Sequence, residues 1–193
     1  MTLLDLRLRD FLDEVAAVGR TPGGGSLAAF VTAAAAGLLT KVARASRDEW
    51  PEAAGVAAQA EALRDRAAPL AQIDAEQYEA ALRSLDGSGE ARGDRRDFDV
   101  GRAHARAAEP PLRIVEAATD VALLSVLVAR DGNQALRADA AAAGALAAAA
   151  ARAAAELIAV NLTASAEDER VVRARALAEE AAGAADEAFA GGT

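Results

Sequence analysis

The chain of 193 residues contains no cysteine, which excludes disulfide staples, thiolate metal ligands and a cysteine nucleophile together. Its single histidine, His104, is too few for zinc, which needs several correctly spaced His or Cys ligands, so no metal is expected. Aromatic residues are scarce, at 3% against 53% apolar overall. The core must therefore be assembled from Ala, Leu and Val, whose small side chains let helices approach closely. Positive charge is in the minority: 30 acidic and 21 basic residues give a formal charge of −9. A chain of that sign repels a phosphate backbone, which argues against nucleic acid as a partner.

Long hydrophobic runs of the membrane kind are also lacking. The most apolar stretch, Ala140 to Ala151, is alanine flanked by Asp139 and Arg152 and reads as a packed helix rather than a bilayer span. Residues Met1 to Asp10 alternate Leu with charge and carry no basic leader or cleavage site. The expectation is a cytoplasmic protein with no membrane partner.

Helical periodicity fills the chain instead, with no sustained alternation of β-branched and polar residues that would predict strands. Leu8, Phe11, Leu12 and Val15 form one stripe, stopped by Gly19. The loop over 20–25 opens a second helix at about Ser26, which carries Leu27, Phe30, Val31, Leu38 and Val42. Pro51 suits the first turn of a third helix reaching about Leu85, in which Pro69 must introduce a kink or a break just ahead of Asp74. Residues 86–94 gather Gly, Ser and charge and read as an exposed connection. A polar helix over 97–108 is interrupted by Pro110 and Pro111, an apolar stripe resumes from Leu112 to about Val128, and Asp131-Gly132-Asn133 turns the chain. Alanine, the strongest helix former, dominates from Gln134 to Leu162, and a last helix spans about Ala166 to Phe189 before a frayed end at 191–193. The fold class is therefore all-α: a single domain over residues 1–193, an antiparallel bundle of about six to eight helices with short connections.

Thr21-Pro22-Gly23-Gly24-Gly25-Ser26 is the least ordinary stretch. Three consecutive glycines cost conformational entropy and add no packing, so something must approach this backbone closely. Free N–H groups at a helix N-terminus make a site for an anion, here a carboxylate; a tight turn or close helix packing without a ligand is the alternative. The stretch is not a Walker loop, which needs Lys after the last glycine, nor a dinucleotide loop, which needs a preceding strand. Asp74 shares a helix face with Leu70 and Tyr78, which would raise its pKa and suit it to acid–base work; an exposed Asp paired with an Arg is the plainer reading. Asn133 is a natural N-cap. Asp139, nearly two turns on, faces an alanine-lined interface and needs a partner such as a ligand N–H, an Arg or water. Asn161 lies among Ile158, Val160 and Leu162 and must be hydrogen-bonded, either by a substrate or as a satisfier of the helix end. His104, between Arg102 and Arg106, reads as a solvated side chain.

Taken in order, Pro22 to Ser26 ahead of an Ala-rich helix, Asp74-Ala75-Glu76-Gln77-Tyr78, Arg96 with Pro111-Leu112, Gly132-Asn133, Asp139 and Val160-Asn161-Leu162 resemble the cyclodeaminase and methenyltetrahydrofolate cyclohydrolase family. The resemblance covers nearly the whole chain, and the glycine loop is its most specific part. It departs at Ala45-Ser46-Arg47-Asp48-Glu49-Trp50, where relatives carry a Gly followed by a basic pair; Arg47 keeps part of that charge. The resemblance implies a folate-dependent one-carbon enzyme. It would be either an ammonia-releasing cyclodeaminase acting on formiminotetrahydrofolate, or a cyclohydrolase opening methenyltetrahydrofolate to the formyl form. It further implies catalysis at Asp74 and Asp139, with substrate contacts at Pro22, Gly23, Gly24, Gly25, Ser26, Arg47, Asn133 and Asn161. The tetrahydrofolate derivative would be substrate rather than a tightly bound cofactor, and the assembly a homodimer or larger homo-oligomer. The competing class, kept open by Asp48 and Glu49, is a non-catalytic helical homologue that serves assembly or binds another small anion.

Overall fold

The computed structural model describes residues 2–19, 21–87, 94–162 and 168–191, with side chains omitted at 85–87 and 94–100. Among the described residues there is no strand; seven α-helices follow a short 3-10 turn at Leu3–Asp5. They are α1 (Leu8–Ala16), α2 (Gly24–Ala45), α3 (Ala53–Ala67), α4 (Leu70–Gly87), α5 (Asp94–Asp131), α6 (Arg137–Leu162) and α7 (Glu169–Ala190). The all-α expectation holds. Most of the connection expected over 86–94, and the last two residues of the expected frayed end, lie outside the described residues.

Helix α2 packs against α3, α4, α5 and α6, while α6 packs against α2, α5 and α7. Both are lined by alanine, with Ala29, Ala35, Ala36, Ala140, Ala143, Ala147, Ala151 and Ala154 fully enclosed. Small residues set the spacing. At Gly144 of α6 an added Cβ would fall 2.3 Å from Ser125 Oγ of α5 and 3.6 Å from Ala185 Cα of α7, so three helices meet at a position that has no room for a methyl group. Hydroxyls buried by this packing bond back to their own helices: Thr32 to the carbonyl of Ala28, Thr40 to Ala36, and Thr119 to Val115. By length and composition, Gly24–Ala45 and Gln134–Leu162 are apolar enough to cross a membrane. That is longer than the Ala140–Ala151 run considered from sequence, and in the fold both segments pack inside the bundle.

The prolines divide the chain at one place and not at the other. At Pro69 the helix breaks, so that α3 ends at Ala67 and α4 starts at Leu70, as a residue lacking an N–H dictates. At Pro110 and Pro111 the expected interruption does not occur: α5 runs through both for 38 residues. Each proline leaves the carbonyl four residues earlier, that of Arg106 or Ala107, without its helical donor. The Ala107 carbonyl is satisfied from outside by Asn161 Nδ2 at 2.9 Å, which is how a proline is accommodated inside a helix. Helix α1 also departs from its expected stripe. Only Phe11 is buried, stacked at 5.1 Å on Phe30, while Leu8 and Leu12 are exposed.

Candidate functional site

Gly23 is the N-cap of α2, with extended backbone, and Gly24, Gly25 and Ser26 form its first turn. The helix thus begins two residues before the expected Ser26. Extended and helical conformations are open to any residue, so space rather than backbone freedom requires glycine here. An added Cβ on Gly24 would meet only Leu157, at an ordinary 3.7 Å. On Gly25 it would fall 2.2 Å from Asp74 Oδ1 and 2.5 Å from Oδ2. The group that approaches the glycine backbone is the carboxylate of Asp74.

The Pro69 break sets the direction of α4 and brings Asp74, one turn into that helix, onto the N-terminus of α2. Ser26 Oγ, fully buried, lies 3.2 Å from Asp74 Oδ2 and donates to the Ala71 carbonyl at 2.8 Å. The Ser26 backbone N–H also donates to Asp74. Burial nevertheless pushes the Asp74 carboxyl above its ordinary value, outweighing the neighbouring Ser26 hydroxyl and backbone N–H that hold it down. A helix N-terminus that binds a carboxylate was the sequence expectation; the carboxylate found there belongs to the chain itself. Ser26 accordingly lies behind Asp74 as its support rather than in the wall.

In front of Asp74 opens a cavity of about 210 Å³. Thr21 and Gly23 to Gly25 line it from the loop, Asp74 and Tyr78 from α4, and Leu157, Val160 and Asn161 from the end of α6. Asp74 is the one formally charged side chain among these. Thr21 Oγ1 donates to Glu79 on α4, which ties the glycine loop to that helix and holds the Glu79 carboxyl below its ordinary value. Pro22, joined to Thr21 by a cis peptide, is not among the lining residues. The volume is below the roughly 300–1,000 Å³ of a cleft that buries a whole drug-sized ligand.

Asn161 is both satisfier and wall. Its Nδ2 donates to the Ala107 carbonyl, and its main-chain carbonyl accepts from Nδ1 of His104 at 2.7 Å. His104 is thus half-buried and engaged, not solvated as its Arg neighbours suggested.

The other expected site residues lie at the opposite end of the bundle. Asp139 stands in the first turn of α6 and Asn161 in the last, about 33 Å apart at 1.5 Å per residue. The partner Asp139 requires is Lys41, the sole lysine, at 2.7 Å and on the surface. Asn133 caps the 3-10 turn Gln134–Leu136 by accepting from the Ala135 N–H, while its own N–H donates to buried Ser46 Oγ at 2.8 Å. Arg47 is exposed just after α2. One chain therefore joins the glycine loop, Asp74 and Asn161, and does not bring Asp139, Asn133 or Arg47 to them. Among the described residues no group of three or more carboxylates or imidazoles converges to hold a metal.

Sequence reasoning passed over Thr21, Tyr78, Leu157 and Val160 as site residues. The positions 157, 160 and 161 share one helical face, a signal that was legible; Thr21 depended on how the loop folds and carried none.

A profile of the formiminotransferase-cyclodeaminase family matches residues 7–181. The chain belongs to that family. No curated protein sequence matches it. Its fold is similar to the crystal structure of formiminotetrahydrofolate cyclodeaminase from Thermotoga maritima, at 23% identity, a TM-score of 0.79 and coverage of 98% of this chain and 94% of that one. At this identity the likeness to the Thermotoga protein is one of fold. The whole helical bundle of this cyclodeaminase-like chain is shared, not a fragment of it.

Proposed function

We propose that the protein is a folate-dependent cyclodeaminase, which closes the ring of formiminotetrahydrofolate at the cavity in front of Asp74 and releases ammonia. The observation that carries this reading is a carboxyl group of raised pKa, the one charged side chain in its cavity, backed by a helix N-terminus. Family membership supplies the substrate class.

Ring closure joins N10 of the folate to the formimino carbon and breaks the bond from that carbon to its exocyclic nitrogen. The N10 proton must be removed, and the departing nitrogen must gain one. Asp74 takes the first proton as base and returns it as acid, so the carboxyl ends as it began. A carboxyl shifted upward by burial suits both halves, because proton transfer is most effective when the pKa lies near the working pH. The neutral walls of Tyr78, Leu157 and Val160 leave the carboxylate as the local counter-charge to an amidinium-like carbon, and the small volume admits the reacting end of the folate alone. Exposed Leu8 and Leu12 of α1 support the expected self-association.

The test offers formiminotetrahydrofolate and methenyltetrahydrofolate separately to purified protein, with the methenyl chromophore and ammonia followed in parallel. The proposal expects methenyl product and ammonia in equal amounts from the first substrate. Consumption of methenyl substrate alone would instead mark a cyclohydrolase. Turnover of neither, together with an unchanged melting temperature at saturating folate, would favour a non-catalytic homologue, since a ligand at 100 times its Kd adds about 2.7 kcal/mol to stability.

A further inference from the structure

Every residue that lines the cavity belongs to a helix or its cap except Thr21. Helix geometry fixes the place of the others. Thr21 follows the exposed residues Ala16 to Gly19, with Val18 fully in solvent, so neither a helical ladder nor a buried approach holds it. Among the described residues it makes one hydrogen bond, from its hydroxyl to Glu79 Oε1. Glu79 is not in the wall: it follows Tyr78 and lies about 100° round α4 from it. Arg83, one turn further along, steadies the other carboxylate oxygen at 3.3 Å. A second bond of this kind is made two turns before Glu79, where the Leu3 N–H donates to Gln72 Oε1 at 2.9 Å. The residues ahead of α2 are thus strapped to α4 at two points, and the later one sets a cavity wall.

We infer that Glu79 is a positioning residue: from outside the cavity it holds Thr21 against α4 and so keeps the loop side of the wall in place for the substrate. A wall segment ordered beforehand need not be ordered by the ligand, so the clasp acts on binding. Asp74 is held separately, by Ser26 at the N-terminus of α2, so proton transfer does not depend on the clasp. This inference rests on the folate reading above.

The test measures KM and kcat for formiminotetrahydrofolate and, with no ligand present, the rate at which trypsin cuts between Arg20 and Thr21. Glu79→Ala is expected to raise KM about three- to tenfold with kcat within about twofold of wild type. It is also expected to speed the cut about fivefold or more, because cleavage needs a loop that opens. Glu79→Gln keeps an acceptor for the Thr21 hydroxyl and is expected to stay within about twofold of wild type in both measurements. Glu79 is exposed, so these variants fold with an unchanged melting temperature. The double variant Thr21→Val with Glu79→Ala is expected to raise KM no further than Thr21→Val alone, since both remove one bond. An unchanged KM in Glu79→Ala, a loss in Glu79→Gln as large as in Glu79→Ala, or KM effects that multiply in the double variant overturns the inference. Wild-type protein that turns over no formiminotetrahydrofolate overturns the folate reading instead. The cleavage rates need no folate, and equal rates in wild type and Glu79→Ala overturn the clasp by themselves.

Discussion

The Asp74 carboxylate lies directly over Gly25, at a distance where any side chain on residue 25 would collide with it. Gly25→Ala places its methyl carbon within 2.5 Å of both carboxylate oxygens, so Asp74 must swing away or the ends of α2 and α4 must part. Overpacking of this kind costs about 1–3 kcal/mol. The variant is expected to melt a few degrees lower and to lose turnover, whereas Gly24→Ala, with only Leu157 near, keeps the melting temperature. Thermal melts and rates on the pair check the contrast.

Asp74 also makes a prediction about stability and pH. Its folded pKa lies above the unfolded value, so the folded state binds this proton the more tightly. The contribution is fully present below the unfolded value of 3.8 and is lost as pH rises through the folded pKa. Asp74→Asn keeps an acceptor for the Ser26 N–H without the charge. It is expected to be at least as stable as wild type at pH 7, with the difference closing as the pH falls toward 4, in denaturant titrations run across that range.

The pair Lys41–Asp139 predicts a null effect. It is a surface ion pair on α2 and α6, far along the bundle from the cavity, and such pairs contribute about 0.2–1 kcal/mol. Asp139→Asn is expected to leave kcat unchanged and to cost little stability. Loss of turnover in that variant would mean that a second copy of the chain carries this end of the bundle to the cavity.

Gly144 tests the packing of the bundle. Gly144→Ala drives a methyl group onto Ser125 Oγ, and a cost of about 1–3 kcal/mol is expected. Ser125→Ala removes the oxygen at 2.3 Å but leaves its Cβ at 3.1 Å. The double variant should therefore recover part of the loss, and a double-mutant cycle measures how much.

Asp168, the N-cap of α7, behaves in the opposite sense to Asp74. Bonds to the Arg170 side chain and backbone N–H lower its pKa to about 2. The stability it contributes is present above the unfolded value of 3.8 and lost as the pH falls through about 2. Asp168→Ala is expected to lower the melting temperature at pH 7, with the difference shrinking as the pH falls from 3.8 through about 2.

Local chemistry made much of this structure legible beforehand. The break at Pro69, the cap at Asn133, and the need for a close neighbour at the glycine loop all follow from what a missing N–H, a side-chain acceptor or a missing Cβ permits within a few residues. What stayed hidden depended on partners distant in sequence. Pro110 and Pro111 read as an interruption because nothing near them shows that Asn161, some fifty positions on, will satisfy the Ala107 carbonyl. His104 read as solvated because its Arg neighbours are exposed, while its own ring nitrogen reaches α6. Asp139 needed a partner, as reasoned, but helical spacing could not say that the partner was Lys41. Even at the loop the identity of the anion escaped, since an internal carboxylate and a bound one demand the same glycine.

Ammonia release from formiminotetrahydrofolate by Asp74→Asn, with folate binding measured on the same preparation, tests the central claim most directly. The protein is expected to bind folate as wild type does and to release ammonia about 10²- to 10⁴-fold more slowly, the usual share of a positioned acid–base group. Ammonia release at the wild-type rate by that variant would contradict the assignment of the proton to Asp74.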